Sequence, residues 1–356
     1  MTTYLLAGGG TAGHVNPLLA VADRIRDREP DATILVLGTR EGLEARLVPQ
    51  RGYELLTIER LPFPRKLNRA ALTFPQRFAA AVRQTRRYLV DRDIDVVVGF
   101  GGYASAPAYV AARRSGIPLA IHEANARPGI ANRFGALFTR NVGVAFRSTR
   151  LRGATMVGMP LRREIENLDR SLTRAEGIRH FGLDPDKPIL LVTGGSLGAR
   201  KINNTIAGSV TTLLGAGWQV LHIAGNKSDI EDPNLPGYTL LLYCDRMDLA
   251  IAVADLAVAR AGAATVSELS AVGVPAVYVP YPVGNGEQRF NAKDAVDAGG
   301  ALIVSDGDFT PAWITKSLLP LLRDRTLIAE MAAVSGTVGT RDGADRMVDL
   351  LTDARH

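Results

Sequence analysis

Two glycine-rich segments have residue types that suit phosphate binding. The first, Gly8–His14, has the G-x-G-x-x-G spacing, and the second, Gly194–Arg200, adds the hydroxyl of Ser196 and a guanidinium. Each follows a short hydrophobic run and precedes a helical pattern. Because backbone amides at a helix N-terminus bind anions, both segments predict contact with a diphosphate.

His14 ends the first glycine segment at the predicted start of a helix. Imidazole titrates near neutral pH and can accept a proton from a hydroxyl. A helix N-terminus favours its neutral form, which suits proton abstraction. We predict that His14 is a general base; the alternative is that it only positions or caps the loop.

The first segment has two other interpretations. A dinucleotide site, as in an NAD(P)-dependent oxidoreductase, shares its glycine spacing but expects an acidic residue at the end of the second strand. That strand ends Leu37-Gly38-Thr39-Arg40, which lacks one. A turn with only a structural role is the remaining alternative.

Two later segments offer polar groups for a nucleotide sugar. Ala261–Glu268 precedes a helical pattern, and the carboxylate of Glu268 could accept both hydroxyls of a ribose. Alternatively, Glu268 complements the helix dipole. Gly284–Asn291 carries amide side chains that suit sugar hydroxyls, or it is a plain surface loop.

These residues must be positioned by strands and helices. Short aliphatic runs alternate with helical patterns along the chain, which indicates parallel sheets. The predicted strands are Tyr4–Ala7, Thr33–Leu37, Glu54–Ile58, Val96–Gly99, Pro118–Ile121, Val142–Ala145, Ile189–Thr193, Gln219–Ile223, Thr239–Leu242, Leu256–Ala259, Ala276–Val279 and Ala301–Val304. A charge-rich junction at Pro160–Asp186 separates the two sets. We predict two Rossmann-like domains whose parallel sheets face one another across a cleft.

Composition restricts the class of protein. The 356 residues are 46% hydrophobic and 22% charged, which is typical of a globular chain and excludes disorder. The single cysteine, Cys244, predicts no internal disulfide and fits a reducing cytosol. We read no signal peptide and no spanning helix, so any membrane role is expected to be peripheral.

The net charge of +6 favours acidic partners, and part of it is concentrated between residues 60 and 90. This stretch has eight basic residues, no acidic one and interspersed apolar side chains, as interfacial segments do. We predict a membrane-binding segment; the alternatives are an ordinary helix with solvated arginines and a nucleic-acid patch. The residues assigned to it are Phe63, Arg65, Lys66, Arg69, Leu72, Phe74 and Phe78.

Six motifs occur in the order found in one known family. They are Gly10–His14, Gly101–Tyr103, His122–Asn125, Gly194–Arg200, Ala261–Glu268 and Gln288–Asn291. In these motifs the chain resembles the N-acetylglucosaminyltransferases of peptidoglycan synthesis in glycosyltransferase family 28, which have the GT-B fold. The likeness covers nearly the whole sequence.

The resemblance implies transfer of N-acetylglucosamine (GlcNAc) from UDP-GlcNAc to the C4 hydroxyl of the muramic acid of lipid I. The products would be lipid II and UDP, with inversion at the anomeric carbon. An N-terminal domain, residues 1–160, would bind acceptor and membrane, with a C-terminal helix, 340–356, packing back on it. Residues 161–339 would bind the donor.

The resemblance also assigns site residues. Catalysis would fall to His14, Glu123 and Asn125. The acceptor side would comprise Thr11, Ala12, Gly13, His14, Tyr103, Asn125 and Asn132. The donor side would comprise Arg162, Ser196, Cys244, Ala263, Ala264, Thr265, Glu268, Gln288 and Asn291.

The implied setting is the cytoplasmic face of the cell membrane, where the enzyme would contribute to cell-wall biogenesis, cell shape and division. Its partners would be UDP-GlcNAc, lipid I, an anionic membrane surface and other cell-wall synthesis proteins, but not nucleic acid. No cofactor is expected. No metal is expected either, because we find no Asp-x-Asp pair at the end of a predicted strand that would bind a divalent ion. Another GT-B glycolipid transferase, an NAD(P)-dependent oxidoreductase and a non-catalytic scaffold are the alternatives.

Overall fold

The computed structural model describes residues 1–64, 69–283 and 286–355. The chain divides into two compact units: the first runs from Met1 to Arg162 and resumes at Arg341, and the second is Arg163–Thr340. None of the described helices is both long and apolar enough to cross a membrane.

The first unit is built on a seven-stranded sheet in the order β3-β2-β1-β4-β5-β6-β7, in which every pair is parallel. Its central strands are hydrophobic on both faces, as a sheet covered by helices on two sides requires. The strands are β1 (Thr3–Ala7), β2 (Thr33–Gly38), β3 (Glu54–Thr57), β4 (Val96–Gly99), β5 (Leu119–Glu123), β6 (Asn141–Val144) and β7 (Ala154–Met156).

The described part of the first unit also contains six helices: α1 (Ala12–Arg28), α2 (Glu44–Gln50), α3 (Arg69–Asp91), α4 (Ser105–Ser115), α5 (Ile130–Gly135) and the C-terminal helix α17 (Gly343–Arg355). The last of these packs beside α1, where Met347 and Leu351 are buried in the same core as Leu18. An ion pair of 2.7 Å between Arg28 and Asp349 lies at the edge of that contact.

The second unit repeats the plan with a parallel six-stranded sheet in the order β10-β9-β8-β11-β12-β13. Its strands are β8 (Ile189–Thr193), β9 (Gln219–Ile223), β10 (Tyr238–Leu241), β11 (Leu256–Ala259), β12 (Ala276–Tyr278) and β13 (Ala301–Ile303). Its helices are α6 (Arg163–Glu166), α7 (Arg170–Phe181), α8 (Arg200–Ala207), α9 (Val210–Gly215), α10 (Met247–Val253), α11 (Ala263–Val272), α12 (Glu287–Asn291), α13 (Lys293–Asp297), α14 (Pro311–Trp313), α15 (Leu319–Arg323) and α16 (Arg325–Val338), with a π-helical turn at Ile314–Leu318.

The predicted α/β organisation is confirmed. Each of the twelve predicted strands is present within two residues of its expected ends. The structure adds β7, a three-residue edge strand with no buried residue, so it left no hydrophobic run in the sequence. The loop expected at Gly284–Asn291 is partly helical, because its residues from Glu287 onward form α12, and residues 284 and 285 lie outside the described residues.

Candidate functional site

Two loops of the first unit meet where its strand order reverses. The first glycine loop follows β1 and Gly101–Tyr103 follows β4, the two strands at the centre of the sheet. A side-chain carbon built on Gly102 would lie 2.4 Å from the carbonyl oxygen of Gly9, so the loops are in backbone contact. Parallel sheets bind ligands at such a switch point, beyond the carboxyl ends of the strands.

His14 lies in the first turn of α1, as predicted, and is half-buried. Its Nδ1 is 3.2 Å from the carbonyl oxygen of Gly9 and 3.3 Å from Oγ1 of Thr11. Burial lowers the pKa of His14, an effect opposed by the nearby carboxylates of Glu123 and Glu44. The imidazole is therefore held largely neutral, which was the predicted direction, but mainly because of burial.

The amide of Gly10 is already occupied. It donates to Oε2 of Glu44 at 2.7 Å, so this N–H is not open to a diphosphate as the sequence interpretation required. Two amides of the same loop, those of Ala12 and Gly13, fall in the first turn of α1, where no intrahelical acceptor exists. They are candidate donors for an anion.

Glu123 is buried at the end of β5, with 2% of its surface exposed. Its carboxylate accepts hydrogen bonds from the amides of Asn125, at 2.8 Å, and Gly129, at 3.0 Å, and from Nδ2 of Asn132, at 2.9 Å. Asn132 is equally buried and accepts from the Tyr109 hydroxyl at 2.6 Å. These two predicted site residues hold the loop that presents Asn125, which is half-buried.

The other predicted acceptor-side residues surround His14. Thr11 and Ala12 are exposed, and Gly13 is half-buried. The ring of Tyr103 lies 4.0 Å from a side-chain carbon built on Gly10, and the guanidinium of Arg60 stacks 5.1 Å from that ring.

In the second unit, the Gly194–Arg200 loop is held against the loop that follows β9. Gly198 has a φ of +81°, and a side chain there would lie 2.2 Å from the carbonyl oxygen of Ala224. The amide of Asn226 donates to the carbonyl of Ser196 at 3.2 Å. Only glycine permits this approach, so the two loops contact one another through backbone atoms.

A cavity of about 1100 Å³ opens at the carboxyl ends of these strands. Three predicted donor residues line it: Ser196, Thr265 and Gln288. The other predicted donor residues are not in its wall: Arg162, Cys244, Ala263, Ala264, Glu268 and Asn291.

Two amide side chains of α12, those of Gln288 and Asn291, bond backbone groups of neighbouring loops. Asn291 is fully buried, and its Nδ2 donates to the carbonyl of Ala261 at 3.2 Å. Gln288 accepts from the amide of Tyr281 at 3.0 Å. Cys244 and Ala263 are buried, whereas Arg162, Ala264 and Glu268 are half-buried.

Sequence reasoning missed Arg260, which joins three loops at the cavity. Its Nη1 donates to the carbonyls of Val279, at 3.0 Å, and Pro280, at 3.2 Å, and forms an ion pair with Asp306. The available signal was a charged residue immediately after the buried strand β11, at the ligand-binding edge of a sheet.

The expectation that no Asp-x-Asp pair lies at the end of a strand was wrong. Asp306 and Asp308 form an Asp-x-Asp pair shortly after β13. Asp306 pairs with Arg260, and Asp308 accepts from the hydroxyl of Ser305 at 2.6 Å. Within the described ranges, no three His, Cys, Asp or Glu side chains cluster as metal ligands.

The predicted membrane-binding segment lies only partly in the described residues. Arg65 and Lys66 fall outside them, and α3 begins at Arg69. Phe63 is 59% exposed and Leu72 83% exposed. Phe74 and Phe78 instead pack partly against the core of the first unit.

Comparison with known proteins identifies the family. Residues 4–144 match the glycosyltransferase family 28 N-terminal domain, and residues 189–347 match the family 28 C-terminal domain. The chain belongs to glycosyltransferase family 28.

Relatives of this family 28 glycosyltransferase match it end to end. A protein of Leifsonia xyli subsp. xyli is 63% identical over 99% of this chain and 98% of its own length, and one of Streptomyces coelicolor is 48% identical over 98% and 97%. Both are named UDP-N-acetylglucosamine--N-acetylmuramyl-(pentapeptide) pyrophosphoryl-undecaprenol N-acetylglucosamine transferase. The crystal structure of Acinetobacter baumannii MurG has 29% identity and a TM-score of 0.82, covering 99% of this chain and 100% of that one. The GT-B fold is thereby confirmed.

Proposed function

We propose that this family 28 enzyme transfers GlcNAc from UDP-GlcNAc to the C4 hydroxyl of the muramic acid of lipid I. The products are lipid II and UDP, so the enzyme serves peptidoglycan synthesis. The full-length relatives with 48% to 63% identity carry the name of this activity, which supports the choice of both substrates.

The observation that carries the reaction is the geometry of His14. A carbonyl can only accept, so a hydrogen bond across the 3.2 Å between Nδ1 and the Gly9 oxygen places the proton on Nδ1. The other nitrogen, Nε2, is then basic and free to accept the proton of the acceptor hydroxyl as the sugar is transferred. A side-chain carbon on Gly101 would lie 3.2 Å from Nε2, so glycine keeps this side of the ring open.

Glu123 acts as a positioning residue in this account. Its carboxylate is buried and bonded to the loop from Asn125 to Gly129, which leaves it poorly placed to take a proton from substrate. It orients Asn125 and raises the proton affinity of His14 electrostatically. Together with Thr11, Tyr103 and the first-turn amides of α1, these residues form the proposed acceptor site in the first unit.

The second unit is proposed to hold the donor. Ser196 and the amides of its loop, with the start of α11, face the diphosphate, where preorganised donors stabilise the leaving UDP. Thr265 and Gln288, in the cavity wall, and Glu268, one turn further along α11, contact ribose and sugar. Cys244 and Asn291 complete the proposed donor set in the second unit, and Arg162, the residue immediately before that unit, is also assigned to the donor.

The enzyme is proposed to work as a peripheral protein on the anionic cytoplasmic face of the membrane, where its lipid-linked acceptor is found. The exposed side chains of Phe63 and Leu72, close to a basic stretch, support this docking mode. Other proteins of cell-wall synthesis are the expected partners there.

UDP release tests the function. The enzyme is offered a panel of UDP-sugars with and without a short-chain lipid I analogue. We expect release only with UDP-GlcNAc and acceptor together. Release with a different acceptor lipid, or with no acceptor, would instead support another glycolipid transferase or a hydrolase.

The same assay tests metal dependence. Because backbone amides and helix N-termini are available for the leaving diphosphate, we expect activity to survive EDTA. Loss of activity in EDTA with recovery in Mg²⁺ would contradict this, and Asp306 and Asp308 would then be the first candidates to hold the ion.

A further inference from the structure

A buried carboxylate lies behind the first glycine loop. Glu44, the first residue of α2, has no exposed surface. Its Oε1 accepts from the amide of Thr39 at 2.9 Å and from the Thr39 hydroxyl at 2.8 Å, and its Oε2 accepts from the amide of Gly10 at 2.7 Å. No motif in the sequence assigned Glu44 to the site.

Three glycines leave space for this one carboxyl group. A side-chain carbon built on Gly9 would lie 2.3 Å from Oε1 of Glu44, and one on Gly42 would lie 2.1 Å from Oε2. A carbon on Gly38 would lie 2.5 Å from Cγ of the same side chain. These distances are far below van der Waals contact, so the loops around Glu44 are shaped to it.

A single peptide group connects Glu44 to His14. Its N–H belongs to Gly10 and donates to Glu44, whereas its carbonyl belongs to Gly9 and lies 3.2 Å from Nδ1 of His14. Hydrogen bonds in such a chain polarise one another: a carboxylate at the N–H makes the carbonyl a better acceptor. The carbonyl in turn holds the proton on Nδ1.

We propose that Glu44 is a positioning residue for the transfer reaction, which fixes the tautomer and orientation of His14 through the peptide group between Gly9 and Gly10. Its relation to His14 is that of the carboxylate to the histidine in a hydrolase triad, with a peptide group inserted between them. The inference rests on the proposed role of His14 as the base.

The charges near His14 determine how its pKa should change when Glu44 is replaced. Two carboxylates face it, Glu123 from β5 and Glu44 from α2, and both raise its pKa against the stronger lowering by burial. Removing the charge of Glu44 should therefore lower the pKa of His14 further. It should also weaken the preference for the Nδ1-protonated tautomer.

NMR of protein labelled at its histidines with ¹⁵N tests this without any substrate. In the parent, His14 should show the Nδ1-protonated tautomer. In Glu44→Gln the resonances should move towards a mixture of tautomers, and the titration of His14 should shift to lower pH. Asp23→Asn is the matched control, because Asp23 is 3% exposed and accepts from the Tyr53 hydroxyl at 2.7 Å in the same unit.

Kinetics give a second readout. Glu44→Gln should lower kcat by roughly 10-fold or more with the KM for UDP-GlcNAc unchanged, and the acid limb of kcat/KM should move to lower pH. Asp23→Asn should leave the shape of the pH profile as in the parent. A loss of stability alone would lower the amount of active enzyme but would not move this limb.

Identical tautomer populations and titration of His14 in Glu44→Gln and the parent would overturn the proposal. If Glu44→Gln does not fold, Glu44→Asp is measured instead. This variant keeps the charge but is one methylene shorter, so it should loosen the tautomer while moving the pKa less. If the NMR result holds but lipid I is not the acceptor, the proposed function fails and the link between Glu44 and His14 stands.

Discussion

His14 illustrates how backbone geometry can set the chemistry of one side chain. Its Nδ1 faces the carbonyl of Gly9, and Gly101 leaves the opposite side of the ring open. Its pKa is lowered mainly by burial, so it should stay deprotonated at a pH where an exposed histidine is half charged.

Replacement of His14 by alanine should lower kcat by roughly 10²- to 10⁴-fold, with little change in the affinity for UDP-GlcNAc. In the parent, the acid limb of kcat/KM should lie below the ordinary histidine pKa of 6.5. His180→Ala is the control, because His180 is an exposed histidine of the second unit. A fully active His14→Ala enzyme would leave Glu123 or the substrate itself as the base.

Donor recognition should divide between two side chains of the second unit. Glu268→Ala should weaken UDP binding, since Glu268 is the proposed partner of the ribose. Gln288→Ala should weaken UDP-GlcNAc binding but leave UDP binding nearly unchanged, since Gln288 is the proposed partner of the sugar. Calorimetric titration of both ligands checks the division, and equal losses for both ligands in both variants would contradict it.

The candidate residues that the sequence predicted lie in or next to glycine loops at strand ends, as His14 and Ser196 do. Glu44 and Arg260 were missed, because each has a partner that is distant in sequence: Gly10 for Glu44 and Asp306 for Arg260. Asp306 and Asp308 lie shortly after a predicted strand in the sequence, but we did not recognise them as an Asp-x-Asp pair. A single sequence shows residue types and spacing, whereas these contacts depend on tertiary packing.

At the scale of elements, patterns of buried strands were sufficient to predict both sheets. The edge strand β7 was missed because none of its residues is buried. In helix α3 the sequence pattern was misleading in the opposite way. It suggested that Phe74 and Phe78 are membrane anchors, yet both pack partly on the core. Amphipathic sequence alone cannot distinguish a membrane from a sheet as the apolar neighbour.

Because Leu72 is exposed, it tests the membrane-binding segment more directly than Phe74 or Phe78 does. Leu72→Gln should weaken binding to anionic vesicles, whereas Leu172→Gln should not. Leu72 and Leu172 are 83% and 79% exposed, but Leu172 lies on α7 of the second unit. Co-sedimentation measures both, and equal binding by the two variants would contradict an anchoring role for Leu72.

The charge of the segment is tested separately. Each basic residue near an anionic surface contributes about 1 kcal/mol, and this attraction is screened by salt. Vesicle binding should therefore fall between low and high salt and be lost when Arg65, Lys66 and Arg69 are all replaced by glutamate. Unchanged binding at both salt levels, with UDP-GlcNAc affinity intact, would exclude the segment as the membrane site.

At the scale of the whole molecule, the described residues of each unit include one fully buried histidine. Burial lowers the pKa of His122, in the first unit, and of His222, in the second, to about 4. Unfolding restores a value near 6.5, so the unfolded chain binds more protons in this range. The stability that each neutral histidine contributes is complete above about pH 6.5 and is lost as the pH falls towards 4.

Both units should consequently lose stability in mild acid, each by on the order of 3 kcal/mol. Urea unfolding at several pH values, followed for each unit separately, measures the loss. His122→Leu should reduce the pH dependence of the first unit only, whereas His180→Gln should change neither. Stability that is constant over this pH range would contradict the linkage.

The stereochemistry of the product tests the central claim most directly. The enzyme is supplied with UDP-GlcNAc and a short-chain lipid I analogue, and the product is analysed by NMR for its linkage and anomeric configuration. A base that deprotonates the acceptor for direct displacement predicts one GlcNAc per UDP released, β-linked to C4 of the muramic acid. An α-linkage, attachment at another hydroxyl, or free GlcNAc in place of a coupled product would contradict the account.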